Sequence, residues 1–175
     1  DAETERIYGT IIPVPEDRVI APEEGRELTF GRMTLVCRDA PGHAKHHMIF
    51  FEKSTRSLFA GDAFGISYLW MTGKRGRWAF PTASPVQFDP EALAPSRIFI
   101  THFGELTNIR ETAALLIDGV REYVGITEAA AGDKTKIKAG LAKLYAEAAK
   151  ENDTKLPAAT IEESLPVDLE LNAQG

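Results

Sequence analysis

The sequence holds a single cysteine, Cys37, so no disulfide can form within the chain. That cysteine lies in the strand-like run LTFGRMTLVC, where it reads as a buried structural thiol rather than a nucleophile. No apolar run reaches the roughly 18–20 residues that span a bilayer, and no N-terminal stretch has the charged-then-apolar pattern of a signal peptide. With the lone thiol, this suits a reducing, cytoplasmic setting. Positive charge is also scarce: 20 Lys and Arg against 26 Asp and Glu leave a net −6. No basic cluster stands clear of neighbouring acids, which argues against a nucleic-acid partner. The densest basic stretch, GKRGR at 73 to 77, is built around glycines and reads as a solvated loop. Finally, no histidine precedes His43.

What remains is ordinary globular usage. A chain of 175 residues with 43% hydrophobic and 26% charged side chains is long enough for a real core. It opens at Asp1 without a methionine and closes on ELNAQG while a helix-like segment is still running, so it reads as part of something longer.

Along the chain, IYGTII (7 to 12) is a short β-like run. LTF and MTLVC are β-rich runs joined by the Gly-led pair Gly31-Arg32, the signature of a tight hairpin. HMIFFE, KSTR and SLFAGDA repeat strand, turn and strand, the apolar HMIFFE suggesting burial on both faces. From 63 to 88 glycines and prolines mark a long loop with aromatic patches, and RIFITHFG (97 to 104) is another buried strand. After 106 the hydrophobic period changes from two to 3.6. Ile109, Ala113, Leu116, Ile117, Val120 and Val124 trace one helical face, with Asn108 and Glu111 spaced as a capping box. Ile137, Leu141, Leu144 and Ala148 trace a second helix capped by Asp133. A third opens at Thr160 and Glu163 and is interrupted by Pro166. Strands first and helices packed on them make a mixed α/β layered fold.

Three residues share a position in that pattern: His43 follows a strand end, Asp62 follows SLFAG, and His102 ends RIFIT. Ligand sites in layered α/β folds gather at strand ends, and imidazoles with a carboxylate suit zinc or a similar divalent ion. Singly, each has a plainer reading as a loop or turn residue making one hydrogen bond.

PGHAKHH, then LFAGDAFG, then ITHFG together resemble the second half of the metallo-β-lactamase superfamily, in motif order and in strand context. The resemblance implies an α/β fold, part of an αββα sandwich, with the β-strands in 28–104 followed by a helical C-terminal region. It divides the chain into 1–104, the C-terminal half of the sandwich, and 105–175, the helical region of the same domain. It makes His43 a ligand of a first metal, Asp62 a carboxylate bridging two metals, His102 a ligand of the second, and His47 a supporting residue. His46 receives no role. The cofactors implied are two divalent ions, zinc by preference, with iron or manganese accepting the same ligands.

The implied activity is hydrolysis by metal-activated water of an ester, thioester, lactone or amide in a small-molecule substrate, with glyoxalase-II-like and lactonase-like chemistry nearest. Tyr68 and Trp70, with Trp78 and Phe80, either line the substrate pocket or pack on the sheet as a lid. Two alternatives stay open: an iron-dependent oxygen or persulfide redox enzyme, and a non-catalytic binding or assembly module without metals.

The chain departs from the family in two places. The His-x-His-x-Asp-His segment that supplies most of the first metal's ligands is absent, so each ion finds two ligands here, and this chain alone is expected to be inactive. The missing ligands are expected ahead of residue 1. The crossover helix near 90–95 is short or missing, and residues lost from the sequence at that point are the preferred explanation, because Asp89-Pro90-Glu91 and Leu93-Ala94-Pro95 still read as a helix start and end. Half of a sandwich leaves its inner sheet face bare, which predicts a homo-oligomer or a covering N-terminal half.

Overall fold

In a computed structural model, which describes residues 5–6, 9–74, 76–82, 93–102 and 104–174, the strands form one six-stranded sheet beside a small ribbon. The strands are β1 (Glu27–Phe30), β2 (Met33–Asp39), β3 (Met48–Glu52), β4 (Ser57–Gly61), β5 (Thr72–Gly73), β6 (Gly76–Arg77), β7 (Arg97–Ile100) and β8 (Glu105–Leu106). The large sheet runs β1-β2-β3-β4-β7-β8, and β5-β6 stand apart. The first four strands are an antiparallel meander. Gly31, at φ 61°, supplies the left-handed backbone that closes the β1–β2 turn, so Phe30 pairs with Met33.

Strands β4 and β7 are parallel, which places the ends of β2, β4 and β7 and the start of β3 at one end of the sheet. Ala60 has no partner in the β4–β7 register, where Phe59 pairs with Phe99 and Gly61 with Ile100. Such a bulge bends the strand and re-aims the residues just past it, here Asp62. The crossover between the two strands includes 83–92, so the expected helix start at Asp89-Pro90-Glu91 lies outside the described residues. Leu93 is the only described residue of that segment in a helical turn.

Helix α1 (Ile109–Ala130) lies on one sheet face; α2 (Lys134–Glu151), α3 (Ile161–Ser164) and α4 (Pro166–Gln174) follow. Ile49, Leu58, Ala60, Ile98, Ile100 and Leu106 form a first core with Phe64, against which Ile109, Ala113 and Leu116 of α1 pack. A second core joins Met71, Trp78 and Phe80 to Leu141, Tyr145, Leu165 and Leu169. Each fully buried Leu or Ile contributes about 1.5–3 kcal/mol.

The other face of the sheet carries Cys37, Phe50, Phe59 and Phe99 in one cross-strand row, with Phe59 stacked on Phe99 at 5.2 Å. Cys37 is fully buried as expected, but Phe59 is 40% exposed, and Phe30 and Met33 extend the apolar row outward at 56% and 38%. On β3, Ile49 is buried on the helix side, while the phenylalanines on both faces, Phe51 and Phe50, are only part-buried, so its apolar run does not mean full burial on both faces.

Several expectations need correction. Residues 9–12 form no strand, residues 7–8 lie outside the described set, and Ile11 and Ile12 are exposed. A β-rich composition needs a sheet edge to pair with, whereas the Gly9 N–H turns back to the Glu5 carbonyl at 2.9 Å. The capping box at α1 does not form: Asn108 makes no side-chain cap bond. The α1 face is also rotated, with Ile117 and Val124 more than half exposed and Thr112 fully buried in the stripe they were expected to share. By contrast Asp133 caps α2, accepting from the N–H groups of Thr135 (3.0 Å) and Lys136 (3.3 Å). Thr160 caps α3 in the same way, through the Glu163 N–H at 3.2 Å. Pro166 does interrupt that helix, yet it also opens α4, where its fixed φ and missing N–H cost nothing. GKRGR is not simply a solvated loop either: Gly73 and Gly76-Arg77 belong to the β5–β6 ribbon.

Candidate functional site

Three connections meet at the common end of the sheet. The β2–β3 loop is pinched at its base by the Ala40 N–H donating to the His47 carbonyl (2.9 Å), and it carries His43 outward. The bulged end of β4 passes through Gly61 into a short turn, Asp62–Phe64. The β7–β8 connection turns tightly through Thr101 and His102, with the Ile100 N–H donating to the Gly104 carbonyl (3.2 Å) and the Thr101 N–H to the Gly61 carbonyl (3.1 Å). His102 lies two residues beyond its strand, at φ 68°. Histidine is among the non-glycine residues that adopt this left-handed conformation more readily than most, and it suits a tight turn.

The Asp62 carboxylate stands between the two imidazoles. Its Oδ2 is 3.7 Å from His43 Nε2, and its Oδ1 is 3.5 Å from His102 Nε2. Oδ1 is buried and has no hydrogen-bond partner among the described residues. A buried carboxylate oxygen that accepts no hydrogen bond is an atom a cation would satisfy. Two donors on one tetrahedral zinc, each about 2.1 Å from it, sit roughly 3.4 Å apart, close to both separations. In kind and spacing, His43 with Asp62 and His102 with Asp62 fit two divalent ions. In number they fall short: among the described residues no group of three or more His, Cys, Asp or Glu gathers to hold a metal.

His47 supports this arrangement from below. Its Nε2 accepts the Asp62 N–H at 3.2 Å, which leaves the proton of the neutral ring on Nδ1. Burial holds this imidazole below its usual range; the Asp62 carboxylate opposes that effect, and His43 and His46 reinforce it. The neutral form that accepts the hydrogen bond is therefore the favoured one. His46 is exposed. Gly61 explains the Gly-Asp pair: at φ +54°, a Cβ there would stand 2.7 Å from His47 Nε2.

The aromatic residues divide. Trp78 and Phe80 are buried in the helical core, and Trp78 Nε1 donates to Thr154 Oγ1 at 3.0 Å, so they are packing residues. Tyr68 and Trp70 are half-buried and stack in parallel, ring centroids 6.4 Å apart, with Tyr68 also 6.0 Å from the His102 ring. Both pack on the helical core, and Tyr68 alone of the two contacts a site residue, with Trp70 stacked behind it and against Trp78.

Two residues beside the site lie outside the three strand-end motifs. Arg77 donates to the Tyr68 carbonyl (3.1 Å) and lies against Gly104, where a Cβ would meet its guanidinium at 2.7 Å. Asp168, on α4, accepts the Tyr68 hydroxyl. Both are brought in by tertiary folding alone.

Sheet, helices and strand-end site define a mixed α/β protein of metallo-β-lactamase-like fold. No family model matches the sequence, nor does any curated protein. Among solved structures, the chain is similar to an archaeal metallo-β-lactamase superfamily protein from Sulfolobus tokodaii, with a TM-score of 0.52 and 17% identity. The likeness covers 99% of this chain and 57% of that one, so the chain spans little more than half of its neighbour's length.

Proposed function

We propose that this chain supplies part of the metal centre of a metal-dependent hydrolase. The observation that carries the reading is the Asp62 carboxylate, with one oxygen toward His43 (3.7 Å) and the buried, unpaired one toward His102 (3.5 Å). His43 and Asp62 Oδ2 would hold one ion, His102 and Asp62 Oδ1 the other, zinc by preference, with iron or manganese using the same donors. When bound, such ions lower the pKa of water to near 7 and polarise a carbonyl. His47 fixes the Asp62 backbone, and the Tyr68–Trp70 pair offers an apolar wall for the unreactive part of the substrate. An ester, thioester, lactone or amide is the substrate class, with glyoxalase-II-like and lactonase-like reactions as the nearest cases.

Zinc titration followed by imidazole NMR tests the metal reading. His43 and His102 should respond before His46, and Asp62→Asn should abolish the response. A response from His46 alone, or one indifferent to Asp62→Asn, would sink it. Metal analysis of the protein as isolated, if iron predominated, would replace hydrolysis by redox chemistry.

The shortage of ligands favours a second reading, a binding or assembly module that keeps the fold without metals. Turnover of any member of an ester, lactone and glutathione-thioester panel with zinc present would exclude it. The half-exposed row of Phe30, Met33, Phe50, Phe59 and Phe99 supports a further proposal: in the working assembly this face is covered, by a second β-layer or a second copy of the chain.

A further inference from the structure

We infer that Asp168, on the C-terminal helix α4, is a positioning residue for the strand-end site, acting on His102 through Tyr68. The Tyr68 hydroxyl donates to both carboxylate oxygens of Asp168, each at 3.0 Å. Asp168 is 8% exposed, and it lies in the first turn of α4, where the helix N-terminus favours a negative charge. The phenol is thus committed to a fixed, buried acceptor. At its other end Tyr68 is held by Arg77, which donates to its carbonyl at 3.1 Å. Pinned at both ends, the ring stands 6.0 Å from the His102 ring at an interplanar angle of 55°, within the range of packed aromatic pairs. The His102 side chain is about half exposed, and the Tyr68 ring lies against it.

The helix that carries Asp168 is itself tied to its neighbours. Asn172 lies one turn further along α4, on the same face as Asp168, and donates to the hydroxyls of Tyr145 (2.8 Å) and Tyr123 (3.3 Å). Tyr123 in turn donates to the Pro81 carbonyl at 2.9 Å, beside the Ile66–Phe80 bridge at the base of the Tyr68 segment.

The test compares Asp168→Ala, Asp168→Asn and the double variant Tyr68→Phe/Asp168→Ala in the full chain, reading His102 ring resonances without metal and zinc affinity by chelator competition. Asp168→Ala frees the Tyr68 hydroxyl: His102 resonances should shift, and zinc affinity should fall by more than about threefold, short of the roughly 10–100-fold lost when a partner bonded directly to a ligand is removed. The double variant removes both polar partners, so it should fold even if the single variant does not, and it should show the same loss. Asparagine keeps an acceptor and should stay within about threefold of the parent. Unchanged His102 resonances in either alanine variant would overturn the inference, as would an asparagine variant as impaired as alanine, which would point to the charge rather than the anchor. The zinc arm rests on His102 being a ligand. If the parent protein binds no zinc, that reading falls, while the metal-free resonances still decide the role of Asp168.

Discussion

Replacing Gly61 by alanine strikes a tight contact of the site without touching a proposed ligand. The new Cβ would lie 2.7 Å from His47 Nε2 and 3.1 Å from Cε1, at a backbone φ of +54°. The cost has two parts. Holding alanine in that conformation costs about 1–3 kcal/mol. Expelling the His47 ring leaves the Asp62 N–H without its acceptor, about 1–3 kcal/mol more. A central total of about 4 kcal/mol would lower Tm by roughly 8–16 °C in a chain of this size. Gly132→Ala is the control: its φ is +82° but nothing lies within 4 Å, so only the backbone term applies. In a His47→Ala background the clash is gone, and the cost of Gly61→Ala should fall to that of its own backbone conformation, φ 54° and ψ −135°. Thermal and urea unfolding of the set decide the matter. A Gly61→Ala cost equal to that of Gly132→Ala, or unaltered by His47→Ala, would refute the steric argument.

Three further outcomes are expected. Asp133→Ala should destabilise by about 1 kcal/mol in urea unfolding, whereas Asn108→Ala, which loses no cap bond, should stay within about 0.5 kcal/mol. Glu52 accepts hydrogen bonds from the backbone and hydroxyl groups of Thr55 and Ser54, which depress its pKa from 4.5 to about 2. The stability it confers is therefore complete above pH 4.5 and is lost as pH falls toward 2, so the gap between parent and Glu52→Gln should close across that window. Burial pushes Tyr145 up to about 12 from 10, so stability should decline between those values as pH rises, and Tyr145→Phe should make that decline shallower in pH-dependent melts.

The meander was legible because hairpin chemistry is local: Gly31-Arg32 and Lys53–Arg56 separate runs that pair with their immediate neighbours. His43, Asp62 and His102 were legible as candidates because Pro-Gly, Gly-Asp and a terminal histidine mark strand ends. Their mutual approach depends on the parallel β4–β7 pair, which no local pattern encodes. The β5–β6 ribbon escaped notice because two-residue strands have no period to detect. Ile117 and Val124 fit a 3.6-residue stripe, yet packing chose the adjacent stripe centred on Thr112, a polar residue that hydrophobicity passes over. Asp168 is separated from Tyr68 by 100 residues, and a lone aspartate near a helix start reads as a dipole partner until its neighbour is known.

The parallel pairing of β4 with β7 also orders events in time. Strands β1 to β4 join through short turns and can pair as soon as they are made, whereas β7 must close a far longer loop before its contacts repay the entropy. His43 and Asp62 lie on the early side of that closure, and His102 lies on the late side. The site is therefore expected to assemble only with that late closure, and a chain stalled as the meander would hold two of its three candidate ligands and bare both faces of its sheet.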